Sequence, residues 1–294
     1  MSTDAHFPAA PAIDDTTFHY RVDGRAAGRI PGAHAGRTGG TGNEFLAHAR
    51  LFDHPDPRRL DLRASLRAGL GEWLVRTYRQ RAAVTLLAVV DVSASMACGA
   101  PRKRDVAADF VAAMGDSAYS AGDTAGLLAF DGAARDDLFQ PPRHSRVIGM
   151  AMSAQLRAAE PGSTPGYGAL ATLQPLAGRE AMVFLVSDFH WPLEQVAAAL
   201  DLLAHAWVVP LVLWDEQEMQ PPARQNFVRL RDAENGSLRS LWLTPRLRRQ
   251  WQEHLAERRR QLDAVFAARQ IRPLYLTGQY DPARLSQYFL DGRG

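Results

Sequence analysis

The chain has 294 residues, 46% of them hydrophobic, enough for one large domain or two small ones with a packed core, which excludes a disordered chain. Its 34 basic residues nearly balance 32 acidic ones, and the formal charge of +2 gives no reason to expect nucleic acid as a partner. A single cysteine, Cys98, excludes an internal disulfide framework and a CxxC metal clip, and fits a reducing compartment.

Residues 1–41 are rich in Gly, Pro and Ala without sustained periodicity and read as a flexible arm, mobile or extended. Met1–Tyr20 carries Asp4, His6, Asp14 and Asp15 and no basic region followed by an apolar stretch, so no secretory signal is expected. No run approaches the roughly 20 apolar residues of a membrane span, and the expected location is the cytoplasm. Residues 42–82 gain anchors such as Phe45, Leu60, Leu66, Trp73 and Tyr78, broken by Pro55 and Pro57, and read as an irregular accessory layer packed on the core.

Residues 83–294 then alternate apolar runs with helical patterns. Strands are predicted at Val84–Val90, Ala125–Phe130, Ala181–Val186, Trp207–Leu213 and Pro273–Leu276. Helices are predicted near Arg102–Ser120, Ser145–Ala159, Gly166–Leu173, Pro192–His205 and Thr244–Arg269, the last with Thr244 as N-cap and Pro245 at its first position. Asn235-Gly236 signals an inserted hairpin near residues 227–243. Repeated βα units imply a doubly wound α/β fold, a mainly parallel sheet with helices on both faces.

The chemistry-bearing residues fall at strand ends. Asp91-Val92-Ser93-Ala94-Ser95 directly follows the apolar run Val84–Val90, so one carboxylate and two hydroxyls sit at the carboxyl edge of the sheet, where open α/β folds bind ligands. Three hard oxygens suit Mg²⁺, which keeps some of its waters. The structural alternative is that the serines merely cap a helix. Two later features favour the metal: Thr164 in the Gly/Pro-framed loop Pro161–Gly166, and Ser187-Asp188 at the end of Ala181–Val186.

This order of strand–DxSxS, Gly-x-Thr loop and strand–Ser-Asp resembles the von Willebrand factor A domain. The resemblance implies a metal-ion-dependent adhesion site at Asp91, Ser93, Ser95, Thr164 and Asp188. The serines and threonine would hold Mg²⁺ directly, the aspartates would act largely through water, and an open position would take an acidic side chain from a client protein. By the same resemblance Thr124 belongs to a strand connection and ligates nothing. Gly42–Phe45, Arg58–Ser65 and Val75–Arg79 are similar to the segment before the A domain in a bacterial group of domains of unknown function encoded beside MoxR-type AAA+ ATPases, to which MxaS-like proteins belong. That resemblance implies a non-enzymatic binding subunit that works with a MoxR-type ATPase in maturation of a client or insertion of its metal or cofactor, methanol dehydrogenase being one such client. Phe52-Asp53-His54-Pro55-Asp56-Pro57-Arg58 and Leu60-Asp61-Leu62 depart from that group's usual strings.

Other readings compete. A Mg²⁺-dependent phosphohydrolase with Asp91 as nucleophile would need a second Asp where Ser93 stands and a lysine nearby, and Lys103, the only lysine, falls on the first helix. No P-loop or Gly-x-Ser-x-Gly elbow is present. A scaffold could instead bind through the accessory layer, where Arg58, Asp61 and Arg63 are candidate partner contacts. His190 could meet the metal or a client, or cap the following helix. Cys98 is expected to be a small buried residue, and the arginine runs at 102–104 and 258–260 to be solvated surface.

Overall fold

The computed structural model describes residues 17–20, 31–40, 44–69, 72–160, 162, 168–215, 227–231 and 238–292. Its first three strands, β1 (Pro31–Gly40), β2 (Glu44–Arg50) and β3 (Leu74–Ala82), form a small antiparallel sheet in the order β1-β3-β2, with helix α1 (Leu62–Ala68) between β2 and β3. Two sequence expectations are corrected here. The accessory layer is a regular sheet and helix, and residues 31–40 of the supposed flexible arm supply its edge strand. Glycine-rich strands carry no alternating apolar face, which is why periodicity did not disclose β1.

The main sheet contains β4 (Thr85–Asp91), β5 (Thr124–Phe130), β6 (Gln140–Arg143), β7 (Met182–Ser187), β8 (Trp207–Trp214) and, late in the chain, β11 (Leu274–Thr277). Its spatial order is β6-β5-β4-β7-β8-β11, parallel throughout except for β6, which runs against β5. Counted from β4, this is the 3-2-1-4-5-6 order of doubly wound sheets, and its switch point lies between β4 and β7. β6 escaped prediction because Pro141 and Pro142 remove two amide donors, a pattern compatible only with an edge strand.

Strand β4 divides its side chains between two cores. Leu86, Ala88 and Val90 face α2 (Lys103–Ala121) and α3 (Ile148–Ala158), whereas Leu87 and Val89 face α4 (Ala169–Leu173), α5 (Leu193–Leu202) and α6 (Pro245–Ala267). Burial of both faces explains the unbroken apolar run. Thr244 caps α6 by accepting the Leu247 N–H at 3.2 Å, with Pro245 in the first turn. Leu262 and Phe266 are the fully buried part of its stripe. Strands β9 (Phe227–Arg231) and β10 (Leu238–Trp242) pair antiparallel, and Asn235-Gly236 lies outside the described residues. A final helix, α7 (Pro282–Asp291), was not anticipated.

The N-terminal segment reaches the larger core. Phe18, 2% exposed, packs its ring 6.1 Å from Phe110, 6.0 Å from Phe184 and 6.2 Å from Phe289 of α7. Its N–H donates to Ser117 Oγ of α2, the His19 N–H donates to Ser286 Oγ of α7, and the Tyr20 hydroxyl donates to Asp123. Asp123 in turn accepts the Val84 N–H at 2.8 Å, immediately before β4. Residues expected in a flexible arm are therefore pinned at positions 18–20. Among the described residues no helix is long and apolar enough to cross a membrane.

Helices α2 and α3 touch backbone to backbone at a glycine pair. A Cβ on Gly115 would strike the Gly149 Cα and N, and one on Gly149 would strike the Ala112 carbonyl. Gly149→Ala gains up to about 1 kcal/mol of helix propensity but overpacks rigid backbone at a cost of about 1–3 kcal/mol. Urea unfolding should show a net loss of about 1–2 kcal/mol for this variant.

Candidate metal centre

Asp91 ends β4 and Ser187 ends the neighbouring β7, so two polar residues emerge side by side at the switch point. Both oxygens of Asp91, 1% exposed, are engaged: Oδ1 accepts the Ser93 N–H at 2.9 Å and Oδ2 accepts the Ser187 hydroxyl at 2.8 Å. Ser187 also accepts the Phe189 N–H and the Trp191 indole N–H, each at 2.9 Å. Burial and the nearby Asp188 carboxylate push the Asp91 carboxyl up to about 7, against the opposing pull of hydrogen bonds from Ser93 and Ser187.

The chain then turns through Ala94–Ala97, a single 3-10 turn. Ser93 occupies its N-cap position, yet its side chain makes no capping bond, so the capping alternative fails. Instead Ser93 Oγ lies 3.3 Å from Ser95 Oγ, in the loop whose Ser93 N–H bonds Asp91.

Asp188, 1% exposed, is aimed by a strained turn. Phe189 adopts φ 53°, the left-handed region that non-glycine residues rarely enter. Its ring, stacked on Trp191 at 5.5 Å and edge-on to Phe266 at 5.5 Å, is buried well enough to hold that conformation. Trp214, closing β8, donates its indole N–H to the Asp188 carbonyl at 2.9 Å. Asp188 Oδ2 accepts Lys103 Nζ at 2.9 Å. Burial by itself would raise the Asp188 carboxyl; the charges of His190 and Lys103, with hydrogen bonds from Lys103 and Ser95, outweigh it and hold the group below the usual carboxylate range.

The structure thus gathers Asp91, Ser93, Ser95 and Asp188. Thr164 lies outside the described residues; of those near it in sequence, the Gly162 N–H donates to the Val92 carbonyl at 3.0 Å and the Gly168 N–H to the Asp131 carbonyl at 2.8 Å. His190 stands at the rim with its Nε2 4.0 Å from Asp188 Oδ2. It does not cap α5, whose N-cap is Pro192. Among the described residues no three His, Cys, Asp or Glu side chains form a metal cluster, so an ion here would depend on the hydroxyls. Hard oxygens alone, beside two buried carboxylates one of which is driven toward protonation, fit a Mg²⁺-like cation.

Three groups were missed. Lys103, 3% exposed, is no surface charge, and Arg104, 6% exposed, donates to the Ala159 carbonyl. Arg258 is half-buried and donates to the carbonyls of Phe189 (2.6 Å) and Trp191, so the two arginine runs are partly structural. Ser187 was read only as part of a Ser-Asp string. Cys98, expected buried, is exposed.

In the accessory layer the candidate contacts separate. Arg58 and Arg63 are exposed. Asp61 is buried, caps α1 by accepting the Ala64 N–H at 3.0 Å, and accepts Arg76 Nε at 2.7 Å, with His48 Nε2 at 3.1 Å. Its carboxylate is thus engaged within the layer, by the α1 cap, Arg76 and His48.

A sheet of this order, mainly parallel with helices on both faces, is a doubly wound α/β fold, and the DxSxS loop lies at its switch point. The chain belongs to the DUF58 family, described as a protein of unknown function, whose profile matches residues 50–261. Among solved structures, the chain is similar to BatB, a conserved hypothetical protein from Bacteroides thetaiotaomicron (16% identity over 71% of this chain and 98% of that one, TM-score 0.42). It is also similar to an aerotolerance-related membrane protein from Bacteroides fragilis (15% identity, 71% and 97% coverage, TM-score 0.42). A von Willebrand factor type A structure from Catenulispora acidiphila is matched at 12% identity over 73% of this chain and 43% of that one, with a TM-score of 0.34. No curated protein matches the sequence.

Ser187→Ala removes the hydroxyl between Asp91 and Trp191 and leaves buried polar groups unpaired, so thermal or urea unfolding should show a loss of about 1–3 kcal/mol. Asp61 yields a pH prediction. The Ala64 N–H, then Arg76 and His48, hold its carboxyl far below its ordinary 3.8. The folded state therefore favours the ionised form, and this contribution is full above 3.8 and lost as pH falls toward the lowered value. Between about pH 5 and about pH 2, Asp61→Asn should lose less stability than the wild type.

Proposed function

We propose that this chain is a non-enzymatic, Mg²⁺-dependent protein-binding subunit that works in the cytoplasm with a MoxR-type AAA+ ATPase in maturation, or metal or cofactor insertion, of a client protein. The observation that carries the reading is the meeting of Asp91, Ser93, Ser95 and Asp188 at the switch point, with the two hydroxyls 3.3 Å apart and the Ser93 side chain not spent on capping. Ser93, Ser95 and Thr164 would hold the ion, and Asp91 and Asp188 would orient them and the ion's waters. The bound ion supplies an electrophilic position for a carboxylate from another chain, and charge-assisted contacts in a partly dry interface exceed neutral ones in strength. The MoxR connection comes from the resemblance of Gly42–Arg79 to proteins encoded beside such ATPases, and methanol dehydrogenase is one client of that group.

A hydrolytic role for Asp91 has less support. A nucleophilic carboxylate needs an oxygen open to the substrate, whereas both oxygens of Asp91 accept hydrogen bonds in a site 1% exposed.

The test is association of the full chain with the MoxR-type ATPase encoded nearest its gene, in Mg²⁺ and in EDTA, for wild type, Ser95→Ala and Asp91→Ala. Binding should weaken at least about tenfold, or about 1.4 kcal/mol, on loss of the ion or of either side chain. Binding indifferent to all three changes would move the contact to the accessory sheet, with Arg58 and Arg63 the first residues to reverse in charge.

A further inference from the structure

We propose that Lys103 is a specificity-determining residue of the metal centre: its buried ammonium weakens binding of the divalent cation and adds positive charge to the loaded site, which favours a partner carboxylate there. The inference rests on the metal reading above and says what the ion's surroundings make it select.

The first observation is contact. Lys103 Nζ is 2.9 Å from Asp188 Oδ2, and the two side chains are 3% and 1% exposed. A buried pair of this kind is little screened by water or salt. Any cation held beside Asp188 must therefore share the carboxylate's field with an ammonium already in place.

The second is location. Lys103 is the first residue of α2, a 19-residue helix, and so lies at the positive end of the helix dipole, where a cation is disfavoured. Neither local helix chemistry nor hydration accounts for a lysine there; the Asp188 carboxylate does. The chain contains no other lysine. His190 and Arg258 also act on Asp188, but His190 is 43% exposed at its side chain and Arg258 spends donors on the Phe189 and Trp191 carbonyls.

The third is charge balance. Asp91 and Asp188 ionised would neutralise a divalent cation completely, and a neutral site has little pull on a third carboxylate. Lys103 adds a positive charge beside Asp188, on the same side of the balance as His190 and Arg258, so the loaded site attracts a partner carboxylate more strongly than the two aspartates and the ion alone would. Cation and partner carboxylate then strengthen each other by the same factor, as linkage requires.

Mn²⁺, which shares the preference of Mg²⁺ for octahedral oxygen ligands, is the probe, followed by electron paramagnetic resonance and calorimetry on the full chain. Wild type, Lys103→Met, Lys103→Gln, Lys103→Arg and Ser93→Ala are compared, with and without acetate as the carboxylate, at fixed ionic strength. Both neutral variants should bind Mn²⁺ at least about tenfold more tightly than wild type, and Lys103→Arg should match it. Acetate should tighten Mn²⁺ binding to wild type more than to the neutral variants. Should Lys103→Met fail to fold, Lys103→Gln against Lys103→Arg gives the same comparison. Neutral variants that bind no more tightly than wild type, while Ser93→Ala abolishes binding, would overturn the role of Lys103 and leave the metal reading standing. Equal tightening by acetate in wild type and the neutral variants would overturn the charge-selection half. Absence of saturable Mn²⁺ binding in every protein would overturn both readings.

Discussion

Two carboxylates, Asp91 and Asp188, are carried by adjacent parallel strands to one water-poor edge, and each is 1% exposed. Like charges brought together out of water are unfavourable unless hydrogen bonds and counter-charges compensate. Much of the surrounding structure supplies that compensation. Ser187 and the Ser93 amide satisfy Asp91, while Lys103 and the His190 amide satisfy Asp188. The two carboxyls differ: burial and Asp188 push Asp91 up, whereas the charges of His190 and Lys103 hold Asp188 down against its burial.

The fold makes this placement unavoidable. In the 3-2-1-4-5-6 order the chain leaves β4 toward β5 and returns to pair β7 on the other side, so the loops after β4 and β7 diverge and open a crevice between them. Rigid parts then aim the donors. Phe189 holds a left-handed conformation with its ring stacked on Trp191 and edge-on to Phe266, next to Asp188, whose carbonyl Trp214 fixes and whose carboxylate meets Lys103. Gly99 permits a close approach to Asp215, which accepts the Ala100 N–H at 2.7 Å and steadies the loop leading into α2 and Lys103.

The parallel strands were legible because burial on both faces demands uninterrupted apolar runs, and the site's oxygens because polar residues directly after such runs have one place to go. What escaped has physical reasons. Lys103 lies twelve residues beyond Asp91 on a helix, and only the length of its side chain brings the ammonium to another strand's carboxylate, which no local spacing encodes. Ser187 acts through three hydrogen bonds to residues two, four and ninety-six positions away, the last set by strand order alone. Phe18 and α7 recognise each other across the whole chain, so neither segment announces its partner. Asp61 was singled out as a charge near arginines, but a residue before a short helix was equally readable as a cap.

The accessory sheet and the metal centre differ in kind as surfaces. In the sheet the acidic hub is consumed internally, and Arg58 and Arg63 remain as dispersed exposed cations, each screened by solvent and worth little alone. At the switch point the charges are few but dry, so each acts at short range on its neighbour, and replacing one changes what the others can hold. Specificity for a carboxylate is better served by the second arrangement, because charge in a buried site is little screened whereas surface charge is averaged by salt.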